Sequence, residues 1–234
     1  MKSACRASRL VTQSRTSIDF RSISYPRQKK TQTYILPRVQ NATIDMPWPN
    51  WIVKQFATIP GGIKNATEES LFYGPYNTIL HHLFPPNEDF MVVPQCQRPA
   101  VGQSIDFTTT FIVESTNTRT PIFYLEIKPP GHLNELSKRE QADARMRDRV
   151  RELITGLRIP ELHGVSALGV QLAFYRYDAA TRVLEPPAIP RDPVRVNDTA
   201  PAARWSVDLL SDEGHQRVVA LATTVKDMAR ALGV

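Results

Sequence analysis

The chain has 234 residues, a formal net charge of +6, 22% charged and 41% hydrophobic residues, enough for one hydrophobic core with extensions and short for two full domains. Its two cysteines, Cys5 and Cys96, are too few and too far apart for a disulfide framework or a zinc site, which fits a reducing compartment. No apolar run approaches the roughly 20 residues of a membrane-spanning helix, and the N-terminus lacks the apolar core of a secretory signal, so the expectation is an intracellular protein, nuclear or cytoplasmic, without a membrane partner.

The charge is unevenly placed. Residues 1–40 hold nine bases and one acid, so this tail supplies +8, and the remainder, with 20 bases and 22 acids, carries −2. Overall basicity therefore says little about the folded part. The tail is rich in Arg, Lys, Ser and Thr and shows little apolar periodicity, the composition of a disordered segment. The same composition suits a mitochondrial transit peptide, or a nuclear signal around Arg27, Lys29 and Lys30. Residues 41–64 carry Pro47, Pro49, Pro60 and the pair Gly61-Gly62 between Trp48, Trp51, Ile52 and Phe56, the pattern of an irregular arm packing its aromatics on a domain that spans 65–234.

A helix is expected from Asn65 as cap, with Glu68 as its capping-box partner and an apolar stripe of Phe72, Tyr76, Ile79, Leu80 and Leu83. Gly74-Pro75 suggests a kink or restart. Glu69 stands three, seven and eleven positions before members of the stripe, which turns it inward, where an acid needs a partner. Three strands follow at Phe90 to Val93, Ser104 to Glu114 and Pro121 to Lys128, close enough for an antiparallel meander. In the last of them Glu126 and Lys128 share a face. Pro129 and Pro130 end the strand, so the pair stands beside a loop that solvent and ligand can reach. Asp106, near the start of the middle strand, falls opposite the end of the next one and so near Glu126 and Lys128. An exposed acid–base pair is by default only a solvated face, worth a fraction of a kcal/mol.

A charged helix is expected over Glu135 to Leu157, with Met146, Val150, Leu153, Ile154 and Leu157 buried and a mixed charge run in water. Gln141 and Arg145, one turn apart, look back at the strand end. Gly164 to Tyr177 reads as one strand paired with Thr181 to Leu184 through the turn Asp178-Ala179-Ala180. After the proline-rich stretch 186–201, a last helix is expected over Asp212 to Leu232, capped by Ser211 and burying Val218, Leu221, Ala222, Val225, Met228 and Leu232.

An inward acid on a helix, three antiparallel strands bearing Asp106 and then Glu126-x-Lys128, and a helix with Gln141 together resemble the PD-(D/E)XK nuclease superfamily. Residues Phe72 to Tyr76 and Glu126 to Gly131 are similar to fungal members of it. The resemblance covers roughly 65–177 and implies an α/β (α+β) fold with a restriction-endonuclease-like core, α-β-β-β-α-β, whose central mixed sheet is flanked by helices. It implies Mg²⁺, with Mn²⁺ as a substitute, held by Asp106, Glu126 and the Ile127 carbonyl, with Glu69 completing a second site or binding through water. Lys128 would orient the attacking water or stabilise charge, and Gln141 would position the site or touch the backbone of a DNA or RNA substrate. Ile105 stands where the family's proline would precede the Asp. Two functions fit: a Mg²⁺-dependent nuclease, and a non-catalytic module that keeps the fold to bind nucleic acid or protein. Oligomeric state is not legible.

Overall fold

In the computed structural model the chain forms two units, Met1–Thr43 and Ile44–Val234, and the residues described are 47–97 and 108–233, all in the second unit. Its frame is a seven-stranded mixed sheet with helices on both faces. The strands are β1 (Phe90–Gln97), β2 (Thr108–Ser115), β3 (Pro121–Lys128), β4 (Glu161–Leu168), β5 (Gln171–Asp178), β6 (Val183–Glu185) and β7 (Val207–Asp208). They lie in the order β1-β2-β3-β4-β5-β6, with β7 pairing β5. Every pairing is antiparallel except β3 with β4, whose crossover runs through helix α3 (Leu136–Leu153).

The elements follow from their residues. Strand β1 contains Pro94, which cannot donate to a ladder, and it takes the sheet edge, where that loss is tolerated. The central β3 is buried at every position, as expected of a strand paired in parallel and covered on both faces. Phe123, Leu125 and Ile127 face helices α1 (Asn50–Ala57), α2 (Ser70–Leu83) and α4 (Asp212–Ala231), while Tyr124 faces α3 with Ala142, Met146 and Val150. Going from α2 to β4, the elements therefore run α-β-β-β-α-β.

Several expectations need correction. The stretch read as an irregular arm contains α1, whose Ile52 and Phe56, four apart, are fully buried, and Trp48 just before it donates from Nε1 to Leu209 O at 2.7 Å. Asn65 does not cap α2; its side chain donates to Gly61 O, and the helix begins at Ser70 with Glu69 at the cap position. Pro75 lies within α2, and the helix continues through it to Leu83: so near the N-terminus a missing N–H forfeits a single internal bond. The stretch read as one strand over 164–177 is the hairpin β4–β5, turned by Gly169 at φ +64° and Val170, a two-residue turn led by glycine. Ser211 caps α4 by accepting from Gly214 N at 3.0 Å, but Leu232 is 52% exposed rather than buried. The charges of α3 are not a solvated face either, since Arg139, Asp143 and Arg149 are buried.

Gly164 on β4 is the Cα partner of Tyr124, and a Cβ there would stand 2.2 Å from Tyr124 Cζ. The ring cannot swing away, because it is fully buried and its hydroxyl donates to Met146 O at 3.2 Å. Gly164→Ala should therefore destabilise by about 3 kcal/mol and lower Tm by roughly 6–12 °C, measured by thermal unfolding, with Gly164→Ala in a Tyr124→Leu background recovering part of the loss.

Candidate functional site

The C-terminal end of β3 gathers most of the charged residues singled out from the sequence. Glu126 and Lys128 project from the strand as alternation requires, but instead of meeting solvent they are 2% and 5% exposed. A solvated face is thereby ruled out, and the expectation that the pair stands open to solvent is corrected: both side chains are largely buried, Glu126 on the face where Tyr124 packs on α3. Lys128 Nζ donates to Glu69 Oε2 at 2.9 Å, an ion pair between side chains 7% and 16% exposed. The other oxygen of Glu69 accepts from the Tyr73 hydroxyl, one helical turn away. The inward acid before α2 thus has its partner, 59 residues along the chain.

Glu126 differs from Glu69 in one respect that matters. Its Oε1 is buried and has no hydrogen-bond partner among the described residues. Burial pushes its carboxyl up to about 7; Lys128, Arg145 and Arg149 pull it down and Glu69 raises it further. Desolvation outweighs three cations, so this acid is held close to its titration point at neutral pH.

Arg149 ties α3 to the sheet here. Its Nη2 donates to Thr110 Oγ1 at 2.9 Å, and Thr110 is the Cα partner of Glu126 in the β2–β3 ladder. Its Nη1 pairs with Glu152 at 2.7 Å. Arg149 belongs to the mixed charge run of this helix, and its four-residue spacing from Gln141 through Arg145 is the signal that places it here. Arg145 is partly buried and acts on Glu126, while Gln141 is exposed on the same stripe. Ile127 is fully buried, its Cα partner in β4 being Ala167. Asp106 lies outside the described residues, and the register puts Thr110, four positions after it, opposite Glu126.

A histidine also missed from the sequence joins this end. His132, in the 3-10 turn Pro130–Asn134 that follows Lys128, has a buried Nδ1 with no partner among the described residues. Burial lowers its pKa first, then the charges of Lys138 and Lys128, against Glu135 and Glu69. Beside the turn, Pro130, Leu133, Asn134, Leu168 and Gln171 line a cavity of about 360 Å³, and Leu168 is the Cα partner of Lys128.

As to a metal, Mg²⁺ takes oxygen ligands and keeps several waters. The orphaned Glu126 oxygen is the donor such an ion uses, so the residues present fit one. Among the described residues no three His, Cys, Asp or Glu side chains cluster at metal-holding distance; Glu69 is the other described carboxylate that acts on Glu126, and Asp106 lies outside those residues. No helix among the described residues is long and apolar enough to cross a membrane. Comparison of the chain with protein-family models, with curated proteins and with solved structures finds no match.

Proposed function

We propose that this protein is a Mg²⁺-dependent nuclease of the PD-(D/E)XK type that hydrolyses phosphodiester bonds of DNA or RNA at the C-terminal end of β3. The observation that carries the reading is the buried Oε1 of Glu126, without a hydrogen-bond partner among the described residues, next to the Lys128–Glu69 pair, on the third strand of an α-β-β-β-α-β run. An unpaired carboxylate oxygen in the interior costs stability, and a ligand that takes it up offsets that cost.

Glu126 and Asp106 would hold the ion, with the Ile127 carbonyl as a further oxygen. The ion supplies a water acidified toward neutral pH and charge neutralisation at the phosphate. Glu69 and Tyr73 fix the position of Lys128, so that its ammonium meets the developing charge without first reorganising. Gln141, exposed on α3, is free to donate to the substrate backbone.

Calorimetry with Mg²⁺ and Mn²⁺ on the wild type and on an Asp106→Ala, Glu126→Ala double variant tests the ion, and cleavage of labelled DNA and RNA strands tests the reaction. Binding that disappears in the variant, with metal-dependent cleavage by the wild type, is the expected result. No metal binding even with a phosphodiester present would replace this reading by a non-catalytic module.

A further inference from the structure

We infer that Lys138, Gln141 and Arg145 on α3 form the track along which one nucleic-acid strand lays its phosphates as it enters the site at Glu126. The inference rests on the reading of that site as one for phosphodiesters and adds the residues that hold the chain on its way to the bond.

The first observation is a contrast within one helix. The other cations of α3 are all committed: Arg139 to Asp198, Arg147 to Asp143, Arg149 to Glu152 and Arg151 to Asp148. Lys138 and Arg145 are partly buried, yet neither has a hydrogen-bond or ion-pair partner among the described residues. Their donors are therefore open to an incoming anion, with which an ammonium or guanidinium makes a charge-assisted hydrogen bond.

The second observation is direction. Arg149 is anchored at Thr110, opposite Glu126, and positions four apart share a helix face. Arg145 and Gln141 therefore continue from Glu126 toward the N-terminus of α3, with Lys138 three residues beyond Gln141. Because α3 joins two parallel neighbours, it runs back against them, and its N-terminal half lies toward the C-terminal end of β3, where Lys128 and His132 are. The charges agree: Arg145 acts on Glu126, and Lys138 acts on His132. Seven residues of helix rise about 10 Å, more than one phosphate group spans. Two cations with a neutral amide between them thus match a stretch of backbone rather than a single phosphate. Arg139, which the sequence would place in the same patch, points elsewhere: it donates to Leu133 O, Ala200 O and Asp198.

The test is the salt dependence of binding of a fluorescein-labelled oligothymidylate by the full-length protein in EDTA, so that nothing is cleaved. Each phosphate contact contributes about 0.7 to the slope of log K against log salt for a single strand. Lys138→Ala and Arg145→Ala should each flatten the slope by about that amount, and the double variant by about twice as much. Gln141→Ala should weaken binding without changing the slope, since an amide releases no counterion. Arg151→Ala, exposed and paired with Asp148, should match the wild type; the basic N-terminal tail is common to every variant and cancels. Unchanged slopes in the Lys138 and Arg145 variants, or equal flattening by Arg151→Ala, would overturn the track. Unchanged slopes in a protein that cleaves overturn the track alone. Flattened slopes in a protein that cleaves nothing keep the track and overturn the nuclease reading.

Discussion

Glu126→Gln is expected to abolish metal-dependent cleavage and, in the metal-free protein, to raise the unfolding free energy at pH 8 by up to about 3 kcal/mol. The two effects have one cause. The Glu126 carboxyl titrates at about 7 in the fold against an ordinary 4.5, so the folded protein holds its proton more tightly than the unfolded chain. A raised pKa contributes stability that is fully present below 4.5 and is lost as pH rises through about 7. Wild-type stability without metal should therefore fall between those values and be flat above, as far as this group is concerned. Gln keeps the size, loses the charge, and removes that slope, so the two proteins should be of similar stability near pH 4.5 and diverge toward pH 8. Urea unfolding of both in EDTA at a series of pH values measures it. A Glu126→Gln protein that is no more stable than wild type at pH 8 would mean that the carboxylate is already satisfied in the fold, which would remove the main reason to place an ion there.

How far the site could be read from the sequence varied with the kind of signal. β3 was legible to the residue because prolines bound it and its apolar run is interrupted only by Glu126 and Lys128. The stripe of α2 was legible for the same reason of period, and Phe72, Tyr76, Ile79, Leu80 and Leu83 are all buried. Glu69 showed as an inward acid in need of a partner, but that the partner is Lys128 depends on folding 59 residues back on themselves. The hairpin β4–β5 was hidden because Val165 to Tyr175 is a nearly unbroken apolar run in which Gly169 is the sole punctuation. α1 was hidden by the prolines around it, although Pro49 stands at the cap position, where a missing N–H costs nothing. The charges of α3 defeated composition altogether. Asp143 accepts from Arg147, Arg204 and Tyr175, and whether an arginine faces water or a buried acid depends on what the stretch after β6 brings over it.

Lys128→Met should cost about 3–5 kcal/mol of stability at neutral pH, as breaking a buried ion pair from one side does, and should reduce cleavage by at least about 100-fold. The stability loss comes from the carboxylates it leaves behind: Glu69 loses an ion-pair partner at 2.9 Å, and Glu126 loses the largest of the charges that favour its ionised form. Removing the second partner as well tells the two roles of the lysine apart. In a Glu69→Gln, Lys128→Met double variant the buried charge on Glu69 is gone along with the ammonium. Since replacing both members of such a pair is often close to neutral, much of the lost stability should return. Cleavage should not return, because Gln and Met supply no cation to the phosphate. Chemical denaturation and single-turnover cleavage on the two single variants and the double variant give both coupling energies from one set of proteins. Stability and cleavage recovering together would reduce Lys128 to a structural residue and leave the chemistry to Arg145, which acts on Glu126 and makes no hydrogen bond or ion pair among the described residues. Stability recovering alone keeps Lys128 as the group that meets the substrate, with Glu69 and Tyr73 as the residues that aim it.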